Sequence, residues 1–189
     1  MSTLLGEGHT YFYDNSLNYH PADVITLNGN QISQRTDNDN VTFDGNTNHI
    51  WVVTGNQQIP SYSDTIQSLN TFQITTPLAH DTIYKNLGVS INYTTLNGID
   101  SVAVYARFNR GLSSTIDSSN WDSGISYSNG FIVPNNGTIH LPAFFFQTFT
   151  SDTYMTIEIV GARYKIKSIN DKDFVTACIV SCRTNYYLK

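Results

Sequence analysis

Asn-Gly pairs at Asn28-Gly29, Asn97-Gly98, Asn129-Gly130 and Asn136-Gly137, with Asp44-Gly45 as their acidic equivalent, cut this chain into short segments. Asn, Asp and Gly tolerate the positive φ angles of tight hairpins, so such pairs between apolar runs mark two-residue β-turns. Between the turns the side chains alternate with a period of two. Val89, Ile91 and Tyr93 oppose Ser90, Asn92 and Thr94; Val102, Val104, Ala106 and Phe108 oppose Ala103, Tyr105 and Arg107. Met155, Ile157 and Ile159 oppose Tyr154, Thr156 and Glu158, and Ala162, Tyr164 and Ile166 oppose Arg163, Lys165 and Lys167. This period puts one face on a core and the other toward solvent or a neighbour.

The pattern predicts an all-β chain: an antiparallel β-sandwich of jelly-roll-like kind over residues 65–189, preceded by an extended N-terminal arm of hairpins over 1–64 that docks on something. The boundary falls near Gly55–Ser63, where Pro60 interrupts. Within the arm, Val24–Leu27, Asn28-Gly29 and Asn30–Ser33 read as a two-residue hairpin. A second hairpin is expected from Val41–Phe43 through Asp44-Gly45 to His49–Val53. Residues 174–180 are apolar on both faces and read as a central strand, with Ser168–Asp173 as the turn before it. Helix signals are confined to a short turn over 64–70 capped by Ser63, with Ile66 and Leu69 three apart, and to residues 80–87.

Asp, Glu, Lys and Arg supply 13% of the chain, about half the share of an average soluble protein. Asn, Ser and Thr, 60 of 189 residues, take their place. Charge is also unevenly spread. Through residue 84 eight acids accompany one base, Arg35, a net −7; from Lys85 onward nine bases and seven acids give +2. An acidic first half with one base does not suit nucleic acid, which needs clustered Lys and Arg. The alternating bases Arg163, Lys165 and Lys167 read as a solvated strand face. No apolar run approaches the 18 or so residues of a membrane helix, and residues 1–8 lack the features of a secretory signal. The expectation is a chain that is neither membrane-bound nor exported.

Known chemical motifs fail one by one. Asp37, Asp39 and Asp44 crowd together, but Val41 and Thr42 occupy the third-ligand and glycine positions of a calcium loop, and position 48 is Asn rather than Glu. His9, His20, His49, His80 and His140 lack local metal spacing and read as hydrogen-bonded structural residues. His80-Asp81 has no nucleophile motif beside it. Glu158 is the best-placed acid, outward on its strand, and reads as a cross-strand partner. Cys178 and Cys182, about 13 Å apart in an extended strand, cannot bridge each other and read as buried thiols. Sequons at Asn40, Asn92 and Asn136 carry little weight in so Asn- and Thr-rich a chain. No cofactor, metal or catalytic residue is assigned, and an enzyme is not expected.

Aromatic residues say more. Read as strand, Phe144, Phe145 and Phe146 put large apolar groups on both faces, and one face must be covered by the arm, another sheet or another subunit. Tyr11, Phe12 and Tyr13 near one end and Tyr186 and Tyr187 near the other read as docking anchors. These eight residues are the expected interface. Trp121, in the polar stretch 118–124, is the candidate ring for stacking on a sugar.

In its Asn-Gly turns, low charge and exterior-type polar composition, the chain resembles capsid-associated, fibre or tail proteins of viruses and bacteriophages with β-sandwich or jelly-roll domains. The resemblance implies a non-enzymatic particle component, made in host cytoplasm and located in the virion. Its partners would be other virion proteins and copies of itself in a homo-oligomer, and a host glycan is a further expected contact. The alternative is a carbohydrate-binding module or lectin-like receptor-binding domain.

Overall fold

The computed structural model describes residues 4–6, 12–13, 18–34, 41–43, 45–108, 128–149 and 151–189. The chain is all-β, and among the described residues its sheets are antiparallel apart from one short parallel pair. It divides into two compact units, Met1–Asn70 with Arg163–Cys178, and Thr71–Ala162 with Ile179–Lys189. The first boundary thus falls at Asn70 rather than 64, and the first unit takes in a segment far along the chain.

In the first unit, β1 (Leu4–Gly6) pairs with β4 (Val41–Phe43). A four-stranded sheet is ordered β3-β2-β5-β6, from β2 (Val24–Leu27), β3 (Asn30–Gln31), β5 (Asn48–Thr54) and β6 (Tyr62–Gln67). Asn28 (φ 52°) and Gly29 (φ 81°) make the expected hairpin turn between β2 and β3. The second expected hairpin does not form. Both edges of β5 are taken, by β2 and β6, so Val41–Phe43 has no place beside it. The turn expected over 64–70 is also absent, because Tyr62 and Ile66 are buried with Asp64 between them on the inward row of β6. A carboxylate in that row hid the period of two.

The core of this unit collects Ala22, Ile25, Leu27, Ile32, Val53, Ile59 and Tyr62 around Phe174, with Phe12, Trp51 and Ile169 packed against them. The Phe174 ring stacks on Tyr62 at 4.5 Å and receives Phe12 edge-on at 6.2 Å. Such aromatic pairs add roughly 0.5–1.5 kcal/mol each beyond their buried area. Gln34 serves as a side-chain splint: its Nε2 donates to Ala22 O (2.8 Å) and its Oε1 accepts from Ala22 N (2.9 Å).

The second unit is a β-sandwich. One sheet is ordered β12-β9-β7, from β7 (Ile74–Thr76), β9 (Val89–Tyr93) and β12 (Thr138–Leu141). The other is ordered β11-β10-β13-β14-β8, from β8 (Thr82–Ile83), β10 (Ser101–Phe108), β11 (Ser128–Pro134), β13 (Thr153–Ile169) and β14 (Lys172–Leu188). The parallel pair is β14 with β8, so residues 80–87 form a short strand between turns rather than a helix. Val102, Val104, Ala106, Met155, Ile157 and Ile159 from one sheet meet Ile91, Tyr93, Ile139 and Leu141 from the other, each almost fully buried. A buried side chain of this size contributes about 1.5–3 kcal/mol.

Asn135 closes the loop after β9. Its Nδ2 donates to Leu96 O (2.6 Å) and Ile99 O (3.1 Å), and its Oδ1 accepts from Leu96 N and Tyr93 Oη, both at 3.3 Å. Asn135→Ala strands several partners at once. Because an unsatisfied buried polar group costs about 1–3 kcal/mol, a loss of about 2 kcal/mol in chemical denaturation is expected.

β13 and β14 join through Asn170 (φ 50°) and Asp171 (φ 58°). Side-chain contacts Ser168–Asp173, Glu158–Arg183, Thr156–Asn185 and Tyr154–Tyr187 fall on the cross-strand pairs that this two-residue turn sets. Side chains alternate along a strand, so neighbours in sequence face opposite sides. Within the first unit Arg163, Lys165 and Lys167 turn toward β6. Tyr164 and Ile166, expected on a core face, are therefore exposed.

Candidate functional site

The expected aromatic anchors are mostly spent inside their own units. Residues 143–146 form a 3-10 helix after Pro142, not a strand, held by Phe145 N donating to Pro142 O (2.9 Å). The helix turns Phe145 and Phe146 into the sandwich core at 6% and 0% exposure, and leaves only Phe144 outside. Tyr186 is fully buried, its Oη donating to Pro77 O at 3.1 Å. Phe12 packs on Phe174, and Tyr13, though exposed, sits edge-on to Tyr19. Tyr187 is half-buried against Tyr154. Phe145, Phe146 and Tyr186 are thus core residues of a single chain and cannot dock a neighbour. Tyr11, Trp121, His9, Asn40, Asp37, Asp39 and Asp44 lie outside the described residues.

Burial pushes the Tyr186 phenol up to about 12, outweighing its hydrogen bond to Thr184. A raised folded-state value means that this stability is complete below pH 10, the ordinary tyrosine value, and is lost as pH rises toward 12. Alkaline titration should therefore show Tyr186 ionising together with unfolding of the second unit, while Tyr186→Phe shifts that unfolding to higher pH. Tyrosinate absorbance followed alongside circular dichroism checks this.

The bases of β13 lie on an exposed side, Lys165 and Lys167 above all, and they also reach β6. Arg163 Nη1 donates to Gln67 O and Gln67 Oε1, both at 3.0 Å, and Lys165 Nζ donates to Thr65 O. Lys167 Nζ lies 5.7 Å from the centre of the Tyr62 ring. β6 is an edge strand of its sheet, and edge carbonyls invite pairing with other chains. Here cationic side chains satisfy two of them. Beneath, Tyr62 Oη and Thr176 Oγ1 share a 2.7 Å hydrogen bond. Burial would raise the neighbouring Asp64 carboxyl, but the Thr65 N–H, the Tyr62 hydroxyl and Lys165 together hold it below the ordinary value. Its Oδ2 nonetheless closes no well-formed hydrogen bond.

The opposite face of the same hairpin is bare. Tyr164, Ile166 and Val175 are 65%, 61% and 63% exposed. The cross-strand register sets Ile166 beside Val175 and Tyr164 beside Ala177. No charged residue interrupts this apolar row between Ala162 and Ser168 or between Val175 and Ala177.

On the outer face of the five-stranded sheet, Glu158 is 3% exposed. Arg183 Nε donates to its Oε1 at 2.8 Å, and Arg107 Nη2 lies 3.0 Å from Oε2 in poorer hydrogen-bond geometry. Glu158 is thus the expected cross-strand partner, and a second arginine from β10 also reaches it.

The remaining candidates are occupied structurally. Asp81 Oδ2 accepts from Leu78 N rather than orienting His80. His49 is buried between Asn28 and Thr47, and His140 contacts Ser90. The Asn92 amide bonds Thr76 and Thr138 with both its atoms. Cys178 and Cys182 are free thiols, half-buried rather than fully so; Cys178 Sγ accepts from Leu69 N and Cys182 packs on the sandwich core. Among the described residues no three His, Cys, Asp or Glu side chains gather as a metal site, and no helix is long and apolar enough to cross a membrane. No protein-family model matches the chain, and no curated protein matches its sequence.

Proposed function

We propose that this chain is a non-enzymatic structural protein of a virus or bacteriophage particle. It serves as a minor capsid, decoration, head-fibre or tail/adaptor component through protein–protein assembly. The observation that carries this reading is the uncharged apolar row Tyr164, Ile166 and Val175 on an otherwise Asn-, Ser- and Thr-rich chain. Exposed contiguous apolar surface is a mark of interaction sites. A face without charges is best matched by another without charges, and a second copy supplies one by two-fold symmetry. The first occupant is therefore another copy of this chain, within a particle whose other proteins surround the oligomer.

Light scattering of the isolated chain over a range of concentrations tests the reading. A dimer or larger symmetric oligomer supports it; a monomer at every concentration counts against self-assembly. The alternative, a carbohydrate-binding module, draws its support from the arginine face of the second unit rather than from Trp121.

A further inference from the structure

The outer face of the five-stranded sheet is a small grid of side chains, all within the second unit. One row across the strands is Tyr105, Glu158 and Arg183; the next is Arg107, Thr156 and Asn185; the next begins with Tyr154 and Tyr187. Successive rows stand two residues apart, about 7 Å along the strands.

Buried Glu158 holds both guanidinium groups in place, yet their side chains remain about half exposed, 48% for Arg107 and 52% for Arg183. Arg183 spends only Nε on Glu158, so among the described residues both its Nη groups have no partner. Arg107 likewise contacts Glu158 through Nη2 alone. Asn185 Oδ1 accepts from Thr156 Oγ1 at 2.7 Å, and its Nδ2 has no partner among the described residues. Two arginines and one glutamate leave a net positive charge on a donor-rich, pre-ordered surface. The planar edge of a guanidinium matches a carboxylate with two parallel hydrogen bonds.

We propose that this grid is a binding site for an acidic sugar, with its carboxylate on Arg183 and Arg107, a hydroxyl at Asn185, and its ring against the Tyr154–Tyr187 pair. A carboxylate alone could equally belong to a peptide. The neighbouring rows favour the sugar: the Asn185 amide suits a polyhydroxylated ligand, and the edge-to-face tyrosines, 5.4 Å between ring centres, offer an apolar wall at the distance of a sugar ring. This site uses none of the residues of the apolar hairpin face, so either proposal can fail without the other.

Saturation-transfer NMR and calorimetry on the whole chain, with D-glucuronate, D-glucose and acetate as probes, test the proposal. Glucuronate should bind and weaken with added salt, glucose should bind at least tenfold more weakly, and acetate should show no contact with tyrosine protons. Arg183→Gln, which keeps a donor but loses the charge, should weaken glucuronate at least tenfold. If that variant does not fold, amide shifts of the wild-type chain decide: they should cluster on β10, β13 and β14. No glucuronate binding, equal binding by Arg183→Gln, or shifts elsewhere overturns the proposal. Acetate binding as tightly as glucuronate also overturns it, in favour of a peptide carboxylate.

Discussion

Replacing Phe146 by alanine should destabilise the second unit by about 3–5 kcal/mol, the range for truncating a fully buried phenylalanine. Its ring is 0% exposed and contacts Phe145 at 5.3 Å and Phe149 at 6.4 Å between centres. It belongs to the buried cluster that fills the sandwich, so its loss leaves a cavity there. Phe144→Ala, two residues earlier in the 3-10 turn and 69% exposed, should cost less than about 0.5 kcal/mol, as surface changes usually do. Denaturation followed by near-ultraviolet circular dichroism separates the two. Equal small effects would mean that the Phe146 ring is not in the core.

Glu158→Gln should cost about 2 kcal/mol. Removing one partner of a buried ion pair costs about 3–5 kcal/mol, and the half-exposed arginines keep some access to water, which reduces the loss. The variant also leaves two guanidinium groups facing each other without a counter-charge. Sulfate, which can occupy that position, should raise the melting temperature of the variant more than that of the wild type, since a ligand bound only by the folded state stabilises it. A variant that melts with the wild type would show that the trio contributes no stability.

Much of the second unit was legible because each strand there meets one core. Ile91 and Tyr93, or Val102, Val104 and Ala106, alternate with polar or half-exposed residues over their whole length. Three features were hidden for physical reasons. The Phe144–Phe146 run looks like strand until Pro142 is read as the start of a 3-10 turn, and composition alone does not distinguish the two. A window of five or six residues assigns Tyr164 and Ile166 to a core, whereas the core-side row of that segment carries Arg163, Lys165 and Lys167, which reach β6 through long side chains. Glu158 owes its burial to arginines from β10 and β14, which no local pattern reveals.

The N-terminal region shows the same limit. Val24–Leu27 and its Asn28-Gly29 turn could be read directly, but the partner of that sheet, Phe174 with Ile169, comes from the hairpin near the other end. The buried residues between Ala22 and Ile59 therefore share a core with Phe174 and do not form an arm separate from it. Deleting them would uncover Phe174 and damage the fold, so substitutions on the outward hairpin face are the cleaner test of assembly. Of the seven expected interface residues that fall among the described residues, Phe144 and Tyr13 remain well exposed. The apolar row that now stands in their place was visible in the sequence with its faces reversed.

The most direct test is sedimentation of the chain beside an Ile166→Lys, Val175→Asp double variant, whose opposite charges can pair across the strands. These two residues face each other across the hairpin, and both point away from the core, so the variant should keep the circular dichroism and melting temperature of the wild type. The account predicts an oligomeric wild type and a monomeric variant at the same concentration. An unchanged mass in a folded variant would contradict it.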